Sequence, residues 1–488
     1  MNRIIQLILV FVLGLTANVS AQVFDIVVAK DDSGDYKTLQ EAIDACPDNI
    51  QKTIFIKSGI YEEKVMIGSH SKASSKKLSI IGEDPEKVII TWDDYNGKTI
   101  MYDGREVKSG TPQSATFTVN ASDFYAENLT IENSYTEKQA VALYNVADRQ
   151  TFKNCRLIGF QDTHYLKKGR RYYFVDCYIE GGTDYICAGG TTIFDNCTLK
   201  SVKNGSFITA PEDITAITTV GDKKYFYGFI FRNCLLTSNA GVEVYLGRPW
   251  QGTSSSVFLS CKMENIKPAG WSTWSDNNHL TSFFAENNSL DLNGDLLDVS
   301  NRVDWSYQLS NEEVETYYTN EKIYSFVSGE YNPYSLVVAP EQPQNLSFNG
   351  DTFTWNEVDG AKGYIVYEDD VLIAYVTEAT FFYSTVASGK YYAVQAVGQN
   401  GNLSLKSEAV SGSTAIEGVE LNKEEVYYRN GVLFIPDNEV FELYSLNGIL
   451  IKRNANEREI NLKDISNGLY VIRIKTGNYT YCDKIYLN

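Results

Sequence analysis

Two acidic dipeptides, Gln161-Asp162 and Thr183-Asp184, sit in the stretch CRLIGFQDTHYLKKGRRYYFVDCYIEGGTDYICA. Asp162 and Asp184 are 22 residues apart, as are Cys155 and Cys177, and Gln161 follows Gln139 by the same 22. Three residue types recurring at one period predict one coil of a solenoid per step. Coils stacked at the strand spacing of about 4.8 Å would bring in-register residues side by side. On that reading Asp162 and Asp184 are vertical neighbours, with Gln139 and Gln161 stacked beside them. Carboxylates supply a nucleophile and a proton donor, and amide N–H groups can receive an oxyanion, so this set points to acyl chemistry. A Ser-His-Asp arrangement is not suggested, because His70, His164 and His279 are few and scattered. Asp184 is the candidate nucleophile and Asp162 the candidate acid and base. Arg248 can hold Asp184 ionised through a charge-assisted pair. Trp250, Tyr185 and Phe160 offer flat rings suited to a sugar face.

The elements that must position these residues are short and β-rich. FKNCRL, FVDCYI, FDNCTL, FRNCLL and FLSCKM place Cys155, Cys177, Cys197, Cys234 and Cys261 at equivalent points of successive coils. One cysteine per coil reads as a ladder of small, reduced core side chains rather than as disulfides or a metal site. Asn128, Asn154, Asn196 and Asn233 recur where the coil must turn sharply, and asparagine tolerates left-handed backbone. Upstream, TLQEAIDAC (38–46) carries Leu39, Ala42, Ile43 and Cys46 on one helical face, with Pro47 ending the helix. Such a helix would plug the open end of the solenoid. The solenoid signal fades near residue 335, and VVAPEQPQ follows as a linker.

The 488 residues suggest two or three domains. Residues 1–21, with Arg3, the run IIQLILVFVLGL and small residues before Gln22, read as an export signal that is then removed. No later segment resembles a transmembrane helix. The net charge of −19 argues against nucleic acid as a partner.

QAVAL (139–143), GFQDT (159–163), GGTDYICAGG (181–190) and LGRPW (246–250), in this order, resemble the pectin methylesterases. VVAKDDSGDYKTLQEAIDACP, IKSGIYEEKV and GWSTW (270–274) add to a similarity that covers roughly residues 24–335. The resemblance implies an all-β fold, a right-handed parallel β-helix with an N-terminal capping helix. It also implies hydrolysis of methyl esters of homogalacturonan to pectate and methanol, with Asp184 as nucleophile and no cofactor or metal. Thr116, in SATFTV, matches a position that the family uses near substrate. One departure stands out: the family's nucleophile segment usually runs Gly-Thr-Val-Asp-Phe-Ile-Phe-Gly, and here Cys187 and Ala188 follow Ile186.

The expected organisation is an export signal (1–21), a β-helix catalytic domain (22–338) and two small β-sandwiches. The first sandwich, 343–412, resembles a fibronectin type III unit around Trp355 and Tyr364. The second, 416–488, resembles a C-terminal sorting domain. The mature protein is expected outside the cytoplasm, as a monomer acting on pectin. The basic run Lys167, Lys168, Arg170 and Arg171 reads as a solvated turn, with attraction of galacturonate carboxylates as its minority reading. The rival functions on the same architecture are a glycoside hydrolase, which also uses two carboxylates, and a non-catalytic surface adhesin.

Overall fold

The computed structural model describes residues 22–488 apart from 103, 275–277, 350–351, 384–388, 413–426, 430–431, 436–439, 446–449, 456, 466–467, 477–478 and 488. The export signal expected at 1–21 and the start of the last sandwich, 416–426, lie outside the described residues. The chain forms two compact units.

In the first unit, strands of successive coils pair in parallel and build three long sheets. The first sheet has eleven strands and includes Gln150–Lys153, Arg171–Val175, Thr191–Asp195, Phe229–Arg232 and Ser255–Leu259. The second has eight, among them Arg156–Ile158, Tyr178–Gly181 and Thr198–Ser201. The third has seven, including Leu143–Asn145, His164–Leu166, Ile186–Ala188, Phe207–Pro211 and Tyr245–Gly247. This is a parallel β-helix, and the period seen in the sequence is its coil.

Side chains alternate across each strand. In Arg171–Val175, Tyr172 and Phe174 point into the helix and belong to its core. The inward phenylalanines stack coil on coil: Phe152 on Phe174 at 4.7 Å, Phe174 on Phe194 at 5.3 Å, Phe194 on Phe231 at 4.7 Å and Phe231 on Phe258 at 4.4 Å. Three residues after each phenylalanine comes a ladder cysteine, and all five ladder cysteines are free and buried. Their thiols donate to strand carbonyls, as Cys177 does to Val175 at 3.3 Å. The corner residues Asn128, Asn154, Asn196 and Asn233 all adopt positive φ, between 48° and 59°. They also pair vertically, with Asn154 Nδ2 donating to Asn128 Oδ1 at 2.7 Å.

The capping helix runs Leu39–Ala45, with Thr38 accepting from the Glu41 amide and Leu39, Ala42 and Ile43 buried. Three further short helices, Asn311–Tyr317, Asn320–Tyr324 and Pro333–Val337, were not anticipated. Their sequence is acidic and tyrosine-rich, without a long apolar period. The first two are held by local caps, a capping box of Ser310 and Glu313 and the Thr319 hydroxyl accepting from the Lys322 amide, and the third starts at Pro333. Tyr318, Ile323 and Tyr324 form a second core with Tyr173, Ile193, Ile230 and Val257, the outward residues of the first sheet. That cover explains why the strands of this sheet are apolar on both faces.

Beyond the β-helix, the region 343–412 contains a three-stranded and a five-stranded sheet. Phe348 and Phe353 of the smaller one lie 5.4 and 5.0 Å from Tyr392 of the larger. Trp355 and Tyr364 are both buried. The last region again sets three strands against four, and Leu433, Ile460, Phe441, Leu443, Ile472 and Ile474 share one core. No helix among the described residues is long and apolar enough to cross a membrane.

The stacked rings give a direct test of the core. Phe194→Ala, which opens a gap between two ring contacts, is expected to lower stability by about 3–5 kcal/mol. Mild reductant should leave the melting temperature unchanged, because the ladder is already reduced. A melting temperature that drops with reductant would contradict this description of the core.

Candidate active site

The turn from the second sheet into the third carries the candidate residues. Isolated parallel bridges join Gln139 to Gln161 and Gln161 to Thr183, so these three residues form one vertical row. Asp162 and Asp184, one residue later, therefore occupy neighbouring coils in register. Both adopt left-handed backbone, φ 63° and 48°, which turns the chain sharply just before the strands His164–Leu166 and Ile186–Ala188 begin. Aspartate accepts this conformation more readily than most residues. Two glycines make room beside them. A Cβ on Gly182 would lie 2.6 Å from the Phe160 ring, and one on Gly181 would strike Tyr185 at 2.1 Å.

Asp162 and Asp184 are 7% and 4% exposed, so each carboxylate is largely stripped of water. Burial raises the Asp162 carboxyl from its ordinary 3.8 to about 7, and the neighbouring charge of Asp184 pushes in the same direction. A hydrogen bond from Gln139 and the charge of Arg248 oppose the rise. Burial raises the Asp184 carboxyl as well, and Arg248 and Lys203 offset only part of that rise. Arg248 makes a two-pronged contact: Nε to Oδ1 at 3.0 Å and an Nη to Oδ2 at 2.6 Å. Below about pH 7 the pair favours one state, with the proton on Asp162 and Arg248 stabilising the charge of Asp184.

Arg248 is itself clamped. Its guanidinium lies 3.9 Å from the Phe207 ring centroid and 4.0 Å from that of Trp274. Such stacking favours a desolvated arginine in one orientation. The loop that delivers it depends on Gly247, whose Cβ would lie 2.0 Å from Thr209 Oγ1. The amides of Arg248 and Trp250 then donate to Thr209 and Pro211 at 3.0 Å each.

Of the expected site residues, the structure brings together Asp162, Asp184, Gln139 and Arg248, with Gln161 in the same row. Phe160 is half-buried beside them, with Lys203 Nζ 5.7 Å from its ring, and Trp250 is partly exposed on the Arg248 loop. Two expected residues lie elsewhere. Tyr185 is fully buried in the β-helix core, its hydroxyl 3.0 Å from Ser201 Oγ. The left-handed backbone at Asp184 turns the chain there, so that Tyr185 and Ile186 both enter the core. Thr116 is also fully buried, and its hydroxyl donates to the Glu132 carbonyl at 2.8 Å. Neither presents a surface to substrate. The basic run is not a simple solvated turn either, since Arg171 is 1% exposed and paired with Asp148 at 2.6 Å.

Residue typing missed Asn96, Phe207, Trp274 and Lys203. Trp274 closes the GWSTW stretch, so its presence was visible but its task was not. Asn96 donates to Gln139 Oε1 at 2.6 Å from a loop distant in sequence, which no spacing announces. At the departure from the usual nucleophile segment, Cys187 is buried, pairs with Tyr165 across the third sheet and has its thiol 3.6 Å from the His164 carbonyl.

A parallel β-helix with two carboxylates paired at one turn places the chain among the β-helical hydrolases. Residues 25–329 match the family model described as Pectinesterase, and 431–488 match that described as Secretion system C-terminal sorting domain. Among curated proteins, the putative pectinesterase 11 of Arabidopsis thaliana is 33% identical over 328 residues, 65% of this chain and 84% of that protein. Pectinesterase 31 of the same plant is 33% identical over 294 residues, 59% of this chain and 88% of its own. Among solved structures, pectin methylesterase from carrot has a TM-score of 0.53 at 26% identity, covering 62% of this chain and 93% of that one. The enzyme from Erwinia chrysanthemi has a TM-score of 0.51 at 27% identity, covering 63% and 99%. The chain belongs to the pectinesterase family.

The raised carboxyl has a signature in stability. A group whose folded pKa lies above its unfolded one stabilises the fold only while protonated in both states. Wild-type stability should therefore decline as pH rises from about 4 to about 7, the interval between the ordinary and folded values of Asp162. Asp162→Asn cannot ionise and should lack this part of the slope. Chemical denaturation across pH should show the variant more stable than wild type above pH 7, with the two converging near pH 4. Parallel curves for the two proteins would remove the assignment.

Proposed function

We propose that this protein hydrolyses the methyl esters of pectin, with Asp184 as nucleophile and Asp162 as proton donor and then base. The observation that carries the reading is the asymmetry of the pair: Arg248 bonds both oxygens of one buried carboxylate and favours its charge, while the neighbour keeps its proton up to about pH 7. Ester hydrolysis needs that asymmetry at its first step. Asp184 attacks the ester carbonyl carbon, and its carboxylate oxygen forms the new C–O bond. Negative charge moves to the former carbonyl oxygen, where the amides of Gln139 and Gln161 can donate to it; one such donor is worth about 2.7–4 kcal/mol of barrier. The C–O bond to the methoxy group then breaks, and Asp162 gives its proton to the departing methanol. Asp162, now a carboxylate, takes a proton from water, which attacks the acyl carbon and frees Asp184 and a galacturonate carboxylate. Arg248 keeps the nucleophile ionised and aimed throughout. Phe160 and Trp250 give aromatic surface for sugar rings beside the reacting ester.

A glycoside hydrolase could use two carboxylates, but its cationic transition state has no use for a row of amide donors. The catalytic domain is assigned to residues 22–338, with a fibronectin III-like unit at 343–412 and a sorting unit at 416–488 that directs the exported enzyme to the cell surface or the medium.

Methanol release from methylated pectin tests the reading. Asp184→Asn should abolish it, because an amide cannot attack. Asp162→Asn should cut turnover steeply while KM changes little. In the wild type, kcat/KM should rise on the acid side as Asp184 loses its proton and fall as pH climbs through about 7, where Asp162 loses its own. New reducing ends without methanol would instead indicate a glycosidase.

A further inference from the structure

Between the second-sheet strand Val88–Trp92 and the third-sheet strand Phe117–Val119 the chain leaves the β-helix for one excursion. It includes a small hairpin, Thr99–Tyr102 with Arg105–Lys108. The root of the excursion is fastened tightly. Asp94 is 4% exposed and pairs with Lys64 at 2.6 Å and Lys98 at 3.0 Å. Its carbonyl accepts from Asn133 Nδ2 at 2.9 Å. Tyr95 stacks on Tyr135 at 4.0 Å. Asn96 lies between these anchors, and its backbone N–H donates to the Gln139 carbonyl at 2.9 Å.

The side chain of Asn96 faces the same way. Its Nδ2 donates to Gln139 Oε1 at 2.6 Å and to Thr111 Oγ1 at 3.2 Å. A glutamine amide has nearly the same shape when turned through 180°, but it exchanges donor for acceptor. Protonated Asp162 could satisfy either orientation, giving a hydrogen bond to Oε1 or receiving one from Nε2. Nothing in the carboxyl group itself decides between them. Asn96 decides through the orientation it holds: with Nδ2 aimed at both Gln139 Oε1 and Thr111 Oγ1, Oε1 is engaged and only the NH₂ group of Gln139 faces Asp162.

We infer that Asn96 is a positioning residue, which locks the Gln139 amide with its donor toward Asp162 and the reacting ester. The inference rests on the reading of Gln139 as an oxyanion donor. Its chemical content is narrower: Asn96 prevents the flipped amide, whose oxygen would face the developing oxyanion and repel it. It would also leave the proton on Asp162 too tightly held for transfer to methanol.

The test uses the full chain with carbon-13-labelled aspartate, so that the Asp162 pKa is read by NMR independently of turnover. In Asn96→Ala the Gln139 amide should be free to flip. The Asp162 pKa should then rise, and the alkaline limb of kcat/KM should move to higher pH by the same amount. Methanol turnover should fall about tenfold to a hundredfold with little change in KM, less than the full loss of an oxyanion donor. Gln139→Ala should be epistatic, so that adding Asn96→Ala costs nothing more. Should Asn96→Ala fold poorly, Asn96→Asp keeps the shape and offers an acceptor that draws Nε2 away, with turnover expected to fall below that of wild type on an intact fold. An unchanged Asp162 pKa in a folded Asn96→Ala, or losses that multiply with Gln139→Ala, would overturn the inference. A wild type that releases no methanol would overturn the pectinesterase reading instead, while the NMR comparison would still decide the role of Asn96.

Discussion

Parallel pairing in register is the constraint on which everything else in the β-helix depends. It fixes the vertical distance between equivalent residues of successive coils at one strand spacing. Whatever is placed at one position of the coil is therefore pressed against its counterparts above and below. For phenylalanine and cysteine this makes a dry, continuous core. For the corner residues it makes vertical hydrogen bonds, Asn154 to Asn128 and Asn196 to Asp176. For aspartate it makes a conflict, because two neighbouring buried carboxylates cannot both stay charged. The fold relieves that conflict with Arg248 on one member and a retained proton on the other. A feature that would destabilise an ordinary coil is thereby turned into the polarity of the site.

The period made much of this readable. Equal spacing between Cys155 and Cys177, between Gln139 and Gln161 and between Asp162 and Asp184 is a one-dimensional record of the stacking, and the bridges confirm the row. Arg248 and Gly247 were legible because LGRPW is a distinctive string. What the period could not supply was direction. Tyr185 and Asp184 are adjacent letters, yet at the left-handed turn one side chain enters the core and the other is held against Arg248. Thr116 failed for the same reason, its hydroxyl being used by the Glu132 carbonyl inside the wall.

Other residues were hidden because they come from outside the repeat. Asn96 reaches the site from the excursion before the third sheet, and Trp274 from a loop after the Arg248 strand. Their tasks appear only when coils remote in sequence are stacked. The helices between 311 and 337 were missed in a different way. Each is short, so local periodicity is weak, while the buried tyrosines that attach them to the first sheet are spread along irregular chain. Apolar residues on both faces of that sheet were the visible trace of a cover.

The cysteine ladder has a consequence for biogenesis. Once folded, the thiols of Cys155, Cys177, Cys197, Cys234 and Cys261 are walled off from solvent, and oxidants have no route to them. The same five thiols on an unfolded chain arriving in an oxidising compartment are open to attack, and cross-links between them would join the wrong coils. In any oxidising compartment, coil stacking must therefore run ahead of thiol oxidation. There the order of those two rates, and not final stability alone, sets how much of the chain reaches the folded state.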